Sequence, residues 1–194
     1  MLKVYGDAIS GNCLKVKWTL DRLWRDYQWM ETSVAAGETR APAFLALHPW
    51  GQVPLVILED GRPLAQSNAI LLHLAEGSNL IPADAYQRAR MLEWLFWEQY
   101  SHEPYIAVVR FQRKFAGRRP DEIEPRLMER GRAALAHMEQ ALASMDWLAG
   151  ERLSLADVAL VAYTRWAEDG DFSLEPYPAV RAWIARVEAE LGIG

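Results

Sequence analysis

The sequence predicts two domains of different class: an α/β domain followed by an all-α helical domain. Strand and helix signals alternate over residues 1–78, whereas every periodic segment beyond residue 84 has helical spacing. The boundary falls at Asn79 to Ala83. Since 51% of the residues are hydrophobic, each part has enough apolar side chains for its own core. We therefore expect domains over residues 1–78 and 84–194.

The α/β domain begins with a strand, a loop and a helix. Leu2 to Gly6 is short and β-prone, Asp7 to Asn12 is rich in small residues, and apolar side chains then recur at helical spacing. The later segments are a strand at Tyr27–Thr32, a helix at Ala41–Leu47, a strand at Val53–Leu58, its hairpin partner at Pro63–Ala65, and a helix that Ser67 caps and that ends at Gly77. The order β-α-β-α-β-β-α is that of a thioredoxin-like fold.

Four helical segments are expected in the second domain, beginning near Asp84, Arg126, Ser154 and Pro178. Pro104 should kink or interrupt the first of them, because proline lacks the N–H that a helix interior needs. The third has the strongest start signal, with Ser154 as N-cap and Asp157 closing a capping box.

Composition argues against several classes of function. The net charge of -5 disfavours nucleic acid, although Arg110 to Lys114 with Arg118 and Arg119 form a local basic patch. The single cysteine, Cys13, allows no internal disulfide and no structural zinc site, which fits a reducing compartment. No stretch reaches the roughly 18 apolar residues of a membrane span, and residues 1–20 lack a secretory apolar region. We expect a cytoplasmic protein with no metal, no membrane partner and no nucleic-acid partner.

Ser10 marks the point where the first loop enters the first helix, within Ser10-Gly11-Asn12-Cys13. Backbone N–H groups and the dipole at a helix N-terminus favour an anion, so a hydroxyl there can donate a hydrogen bond to a thiolate and hold it ionised. The alternative is that Ser10 or Asn12 only caps the helix.

Two further segments suit a peptide ligand. Pro54 opens a strand, and a cis bond there would expose the backbone of Val53 for pairing with an extended peptide; an ordinary trans turn is the alternative. Gln66-Ser67 begins another helix, where a hydroxyl, backbone amides and the helix dipole suit a carboxylate. A capping serine is again the alternative.

Three motifs occur together in the first domain: Ser10-Gly-Asn-Cys13 followed by Lys15, Pro49-x-Gly-Gln-Val-Pro54, and Gln66-Ser-Asn-Ala-Ile70. The second domain adds Trp147-Leu-Ala-Gly150, Leu155-Ala-Asp157-Val and Tyr177-Pro-Ala-Val180. In these motifs and their spacing, nearly the whole chain resembles the bacterial cytosolic glutathione S-transferases, in their serine-type form.

The resemblance implies how the cysteinyl unit of glutathione is held. Ser10 matches the serine that hydrogen-bonds the glutathione sulfur, and Asn12 would assist it in polarising the thiol. Val53 would pair its backbone with the cysteinyl unit before a cis-Pro54.

The same resemblance assigns the two ends of the tripeptide. Gln66 and Ser67 would hold the γ-glutamyl end, and Gln52 would reach the glycyl carboxylate. Trp50 departs from the small or polar residue expected beside that glycyl end.

A second substrate, a small hydrophobic electrophile, would bind in a cleft between the domains by the same resemblance. Tyr105, Val109 and Trp166 are candidate wall residues by their position. Glu98 and His102 lie about one helical turn apart, which suits either polar contacts of this site or surface groups, and a solvated face is the default expectation for such charges.

Conjugation is the leading functional prediction: glutathione is the co-substrate, its thiol is activated, and the thiolate attacks an electrophilic carbon in a detoxification reaction. The alternatives are a glutathione-dependent peroxidase or disulfide reductase, and a non-catalytic interaction module of the same fold. Relatives with cysteine chemistry carry a second cysteine where Cys13 stands, and here we expect a buried thiol rather than a mixed disulfide. The segment Phe96–Tyr100 resembles the dimer-side helix of the family and implies a homodimer.

Overall fold

Two compact units make up the protein, Met1–Ser78 and Asn79–Gly194. The computed structural model describes the whole chain, residues 1–194. None of its helices combines the length and the apolar composition that crossing a membrane requires.

The first unit has the thioredoxin-like order that the sequence predicts. Its elements are β1 (Leu2–Gly6), α1 (Gly11–Arg22), β2 (Tyr27–Glu31), α2 (Pro42–Leu47), β3 (Leu55–Ile57), β4 (Pro63–Ala65) and α3 (Ser67–Leu74), with a 3₁₀ turn at Glu38–Arg40. The strands form one sheet in the order β2-β1-β3-β4, in which β1 and β2 are parallel and the other neighbours are antiparallel. The predicted α/β fold class is therefore confirmed.

Alternation along β1 separates the two faces of this sheet. Leu2 and Val4 are fully buried, and Val4 lies opposite Val56 of β3. Tyr5, which points to the other face, meets Phe44 of α2 edge to face with ring centroids 5.9 Å apart. Helices α1 and α3 pack against each other. Apolar burial on the sheet and between these helices thus forms the core of the unit.

Two boundaries differ from the prediction. Strand β3 begins at Leu55 rather than at Val53, because Pro54 has no N–H to donate to a ladder. Ser67 is not the cap of α3: Gln66 occupies the N-cap position, and Ser67 is the first helical residue. The hydroxyl of Ser67 bonds to Asn12 instead of to the amides of its own helix.

The second unit is entirely helical. Its helices are α4 (Ala85–Trp97), α5 (Glu103–Arg110), α6 (Pro125–Leu142), α7 (Leu155–Thr164) and α8 (Pro178–Leu191), with 3₁₀ turns at Pro120–Glu122 and Ala167–Gly170. All ten residues of α7 are buried, and α4, α5 and α8 all contact it. Helix α7 is therefore the centre of the bundle, which explains its almost wholly apolar sequence.

The predicted interruption at Pro104 takes the form of a π-helical turn. Helix α4 stops at Trp97, the π-turn covers Glu98–His102, and α5 resumes with Pro104 in its first turn. Proline is tolerated there because the first helical N–H groups have no intrahelical acceptor. A second π-turn, Phe111–Phe115, follows α5 and was not predicted.

The capping box of α7 is confirmed. The Asp157 carboxylate accepts hydrogen bonds from the Ser154 amide and hydroxyl, each at 2.9 Å. It also accepts from the Leu148 amide at 3.0 Å and from the indole Nε1 of Trp183 at 2.9 Å. Asp157 thus joins the start of α7 to the preceding loop and to α8, a wider role than the local sequence indicates.

Candidate functional site

The strand register brings the three motifs of the first unit to one edge of the sheet. Leu55, the first residue of β3, pairs with Tyr5 near the end of β1 and with Ala65 at the end of β4. The segments that continue from this row are the loop to Ser10, the residues just before Leu55, and Gln66 with Ser67. Polar groups far apart in sequence are therefore gathered at a single edge.

Ser10 is the N-cap residue of α1, yet its side chain forms no capping hydrogen bond. Its backbone carbonyl accepts from the amides of Cys13 and Leu14, each at 3.0 Å, so the first turn is closed by the main chain. The half-buried hydroxyl stands at the positive end of a twelve-residue helix. The Ser10 side chain therefore does not cap α1, which was the alternative prediction for it.

Cys13 is a fully buried free thiol on the inner face of α1, as expected. Burial raises the pKa of this thiol to about 11, against the lowering effect of hydrogen bonding from the Ser10 side chain and the Asp7 backbone. The negative charges of Asp7 and Glu31 raise it further. The thiolate is the reactive form of cysteine, so Cys13 is inert at neutral pH.

The segment before β3 leaves backbone groups outside the sheet. The Val53–Pro54 peptide bond is cis, and Val53 precedes the paired residues of β3. Gln52 is exposed, and the Trp50 ring is 66% exposed beside His48. The roles assigned to Gln52, Val53 and Pro54 in holding a tripeptide stay predictions.

The start of α3 has an unusual backbone. Gln66 adopts φ 70 and ψ 108, which non-glycine residues rarely do, and its exposed side chain makes no capping bond. Such conformations cost on the order of 1–3 kcal/mol and cluster at functional sites. Ser67 is buried, and its hydroxyl donates to the side-chain oxygen of Asn12 at 3.2 Å. The structure thus brings Asn12, predicted as a partner of Ser10 at the thiol, against Ser67; its role at the thiol stays a prediction.

Lys15 and Asn68 form a second link between α1 and α3 that sequence analysis did not assign. Lys15 is fully buried, and its ammonium donates to the Asn68 side-chain oxygen at 3.0 Å. A sequence signal for this burial existed, because Lys15 and Thr19 lie four residues apart beside the apolar positions Val16 and Leu20. The partner lies 53 residues away, where no local pattern reaches.

The helical unit has a cavity of about 400 Å³ along α5 and the π-turn that follows it. Apolar side chains form much of its wall: Ala107, Val108, Phe111 and Ala116. Polar groups complete it: Glu103, Gln112, Arg118 and Tyr163. A mainly apolar concave site with a few polar groups is typical of small-molecule binding.

The predicted wall residues of the electrophile site are not among those that line this cavity. Tyr105 is half-buried on α5, and Val109 is fully buried in the helical unit. The Arg110 guanidinium lies over the Trp166 ring, 4.1 Å from the centroid of that ring. Their contact with a second substrate stays a prediction. Phe111 and Tyr163, which the sequence did not single out, are the aromatic residues that line the cavity.

Glu98 and His102 were expected on a solvated face, and that expectation was wrong. Both side chains are fully buried. His102 Nε2 hydrogen-bonds the Thr164 hydroxyl at 2.9 Å, and the Glu98 carboxylate accepts from the side-chain Nε2 of Gln99 at 2.7 Å. The π-turn carries both residues into the interior, which a regular helical spacing does not anticipate.

The basic patch noted in the sequence is largely paired with carboxylates. Arg110 and Lys114 both bind Asp169, at 3.1 and 2.7 Å. Arg113 pairs with Asp171. These ion pairs neutralise the charge that nucleic-acid phosphates would need.

Family models match both units. Residues 1–76 match the glutathione S-transferase N-terminal domain, and residues 98–190 match the glutathione S-transferase C-terminal domain. The disulfide-bond oxidoreductase YfcG of Escherichia coli is 31% identical, over 96% of this chain and 90% of its own length.

Solved structures agree with this assignment. A glutathione S-transferase from Xanthobacter autotrophicus is 49% identical with a TM-score of 0.90, over 97% of this chain and 93% of its own. One from Pseudomonas fluorescens is 46% identical with a TM-score of 0.93, over 97% and 94% of the two chains. The suspected family is therefore confirmed: the chain belongs to the glutathione S-transferase family.

Proposed function

We propose that the protein is a glutathione transferase that binds glutathione on its α/β unit and directs the thiolate at small hydrophobic electrophiles. The observation that carries the proposal is Ser10. Its hydroxyl stands at the N-terminus of α1, is not used as a helix cap, and shares one edge of the sheet with Val53 and Gln66. A tripeptide bound along this edge would meet a hydroxyl, the backbone of Val53 just before the paired residues of β3, and a helix N-terminus in turn.

Ser10 would activate the thiol of glutathione by stabilising its conjugate base. The hydroxyl donates a hydrogen bond to the sulfur, and the dipole of α1 adds a partial positive charge at the same point. Both effects favour the thiolate and lower the pKa of the bound thiol. The thiolate attacks the electrophilic carbon, a carbon–sulfur bond forms, the leaving group departs with the bonding electrons, and the thiol proton passes to solvent.

The two ends of glutathione would be held by the remaining residues. The γ-glutamyl carboxylate binds at Gln66 and Ser67, where first-turn amides attract an anion. Val53 pairs with the cysteinyl unit, and Gln52 takes the glycyl carboxylate. For a small hydrophobic molecule, the helical unit by itself offers the apolar cavity beside Phe111.

A second candidate is reduction of disulfides or peroxides by the bound glutathione thiolate, with the same first unit. The relative YfcG, named a disulfide-bond oxidoreductase, favours it. In either reaction the active sulfur is that of glutathione, because the Cys13 thiol is buried and its pKa is raised to about 11.

The test is Ser10→Ala, with Ser173→Ala, an exposed serine of the helical unit, as the matched control. With an activated aryl halide and glutathione, we expect Ser10→Ala to lower kcat/KM by about 10²-fold, the loss typical for one donor to a reacting anion. The pH at which the rate reaches half its maximum should rise. An unchanged rate and pH profile would remove Ser10 from this role, and turnover of a disulfide alone would favour the second candidate.

We also propose a cytoplasmic homodimer with a role in detoxification. Phe96 and Tyr100 are 73% and 82% exposed on successive turns at the end of α4 and in the π-turn. Large exposed aromatic side chains are typical of interface residues. Phe96→Asp should convert the protein to a monomer in sedimentation velocity; an unchanged mass would exclude this face.

A further inference from the structure

Two side-chain hydrogen bonds connect α1 to the first turn of α3. The Lys15 ammonium donates to Asn68 at 3.0 Å, and the Ser67 hydroxyl donates to Asn12 at 3.2 Å. The first two residues of α3 are thus each tied to a different turn of α1. The N-cap residue Gln66 makes no side-chain capping bond to this helix.

Burial of Lys15 needs a physical reason. Lysine is almost never fully buried unless its charge is used, because removing an ammonium from water costs free energy. An apolar side chain of the same length would fill the position between α1 and α3 with less desolvation. Lys15 is nevertheless 0% exposed, with its charged end against Asn68.

The location of Asn68 indicates what the charge is used for. Asn68 follows Ser67 in the first turn of α3, the turn whose N–H groups have no intrahelical acceptor and face an incoming anion. The bond from Lys15 fixes the Asn68 amide with its oxygen toward α1. That bond therefore sets the orientation of the turn at the point where the backbone of Gln66 is strained.

We propose that Lys15 is a positioning residue of the γ-glutamyl subsite, acting through Asn68. The inference rests on the proposed function, in which the γ-glutamyl carboxylate of glutathione binds at Gln66 and Ser67. Lys15 holds the first turn of α3 in the orientation that receives this carboxylate. It takes no part in ionising the thiol, which is the task assigned to Ser10.

The test compares Lys15→Met, Asn68→Ala and Asn68→Asp by calorimetric titration with glutathione. Methionine keeps the length and apolar stem of lysine but cannot donate. We expect Kd to rise about tenfold in Lys15→Met and in Asn68→Ala, the scale of one hydrogen bond to a charged group. Asn68→Asp keeps an acceptor for Lys15 and should bind more tightly than Asn68→Ala.

Two readouts separate positioning from general structural damage. The kcat at saturating glutathione and the pKa of the bound thiol should match wild type in Lys15→Met. A glutathione analogue with hydrogen in place of the γ-glutamyl carboxylate should bind wild type and Lys15→Met equally. If Lys15→Met does not fold, Asn68→Ala is used for the same measurements, because Asn68 is only half-buried.

The positioning role of Lys15 and the proposed binding of glutathione would be overturned by different results. Wild-type Kd in Lys15→Met or Asn68→Ala would refute the positioning role, as would an equal loss of affinity for glutathione and its analogue. A wild-type protein that binds no glutathione would overturn the proposed function, and the inference with it.

Discussion

Replacing Asp157 with alanine should destabilise the helical unit more than most single substitutions. The carboxylate is fully buried and accepts four hydrogen bonds from Leu148, Ser154 and Trp183. Burial raises the pKa of Asp157, and these hydrogen bonds offset part of that rise. Alanine would remove the acceptor that the loop, the start of α7 and the indole of α8 share.

The magnitude follows from the donors that lose their partner. The Ser154 hydroxyl can turn to another acceptor, but the amides of Leu148 and Ser154 and the indole N–H of Trp183 are fixed by the fold. Each buried orphan donor costs about 1–3 kcal/mol, and relief of the buried charge offsets some of the sum. We expect a loss of about 4 kcal/mol in the free energy of unfolding, or a Tm lower by about 8–16 °C for a chain of this size.

Urea unfolding followed by far-ultraviolet circular dichroism measures this loss. Asp146→Ala is the matched control: its carboxylate is 76% exposed in an ion pair with Arg186, so the change should stay within about 0.5 kcal/mol. Trp183→Phe in the Asp157→Ala background should cost less than in wild type, because the orphan donor is removed with it. Wild-type stability in Asp157→Ala would show that these buried donors do not depend on the Asp157 carboxylate.

Three further predictions concern packing and titration. In Gly131→Ala the new Cβ would lie 2.4 Å from the buried Phe172 ring, so we expect a stability loss of about 1–3 kcal/mol despite the better helix propensity of alanine; an equal or higher Tm would contradict the close packing. The pKa of the Cys13 thiol is raised from 9.0 to about 11, so the stability that the buried thiol contributes is complete below pH 9.0 and falls by about 2–3 kcal/mol as pH rises toward 11. The free energy of unfolding of Cys13→Ala should not show this fall. Parallel pH dependences of stability in Cys13→Ala and wild type would contradict the raised pKa. Burial alone would raise the pKa of Asp169, but hydrogen bonds from Lys114 and Arg110 lower it overall from 3.8. The difference in free energy of unfolding between wild type and Asp169→Asn should therefore be constant at neutral pH and shrink as pH falls below 3.8. A difference that grows on acidification would contradict the stabilising ion pairs.

Local signals account for the parts of the fold that were predicted correctly. Ser154 and Asp157 mark the start of α7 because a capping box is a contact within one helical turn. Pro104 marks an interruption for the same reason, since its effect is on its own helix. The motifs at Ser10 and at Gln66-Ser67 were found as helix starts, and the register of the sheet then placed them at one edge.

The errors arose where distant residues decide the outcome. Glu98 was expected in solvent, but the π-turn rotates it inward. His102 is buried with Thr164 as partner, 62 residues away. Lys15 depends in the same way on Asn68, and Ser67 was taken as a cap because Asn12, its true partner, lies 55 residues distant. Spacing within a helix shows which face a residue occupies, but not what that face meets.

The proposed function depends on Ser10 stabilising the ionised thiol of bound glutathione. Thiolate absorbance recorded against pH, with wild-type protein saturated by glutathione, measures this effect. We expect a thiol pKa well below that of free glutathione, and a return toward the free value in Ser10→Ala with affinity largely retained. Binding with an unshifted thiol pKa, or the same depressed pKa in both proteins, would contradict it.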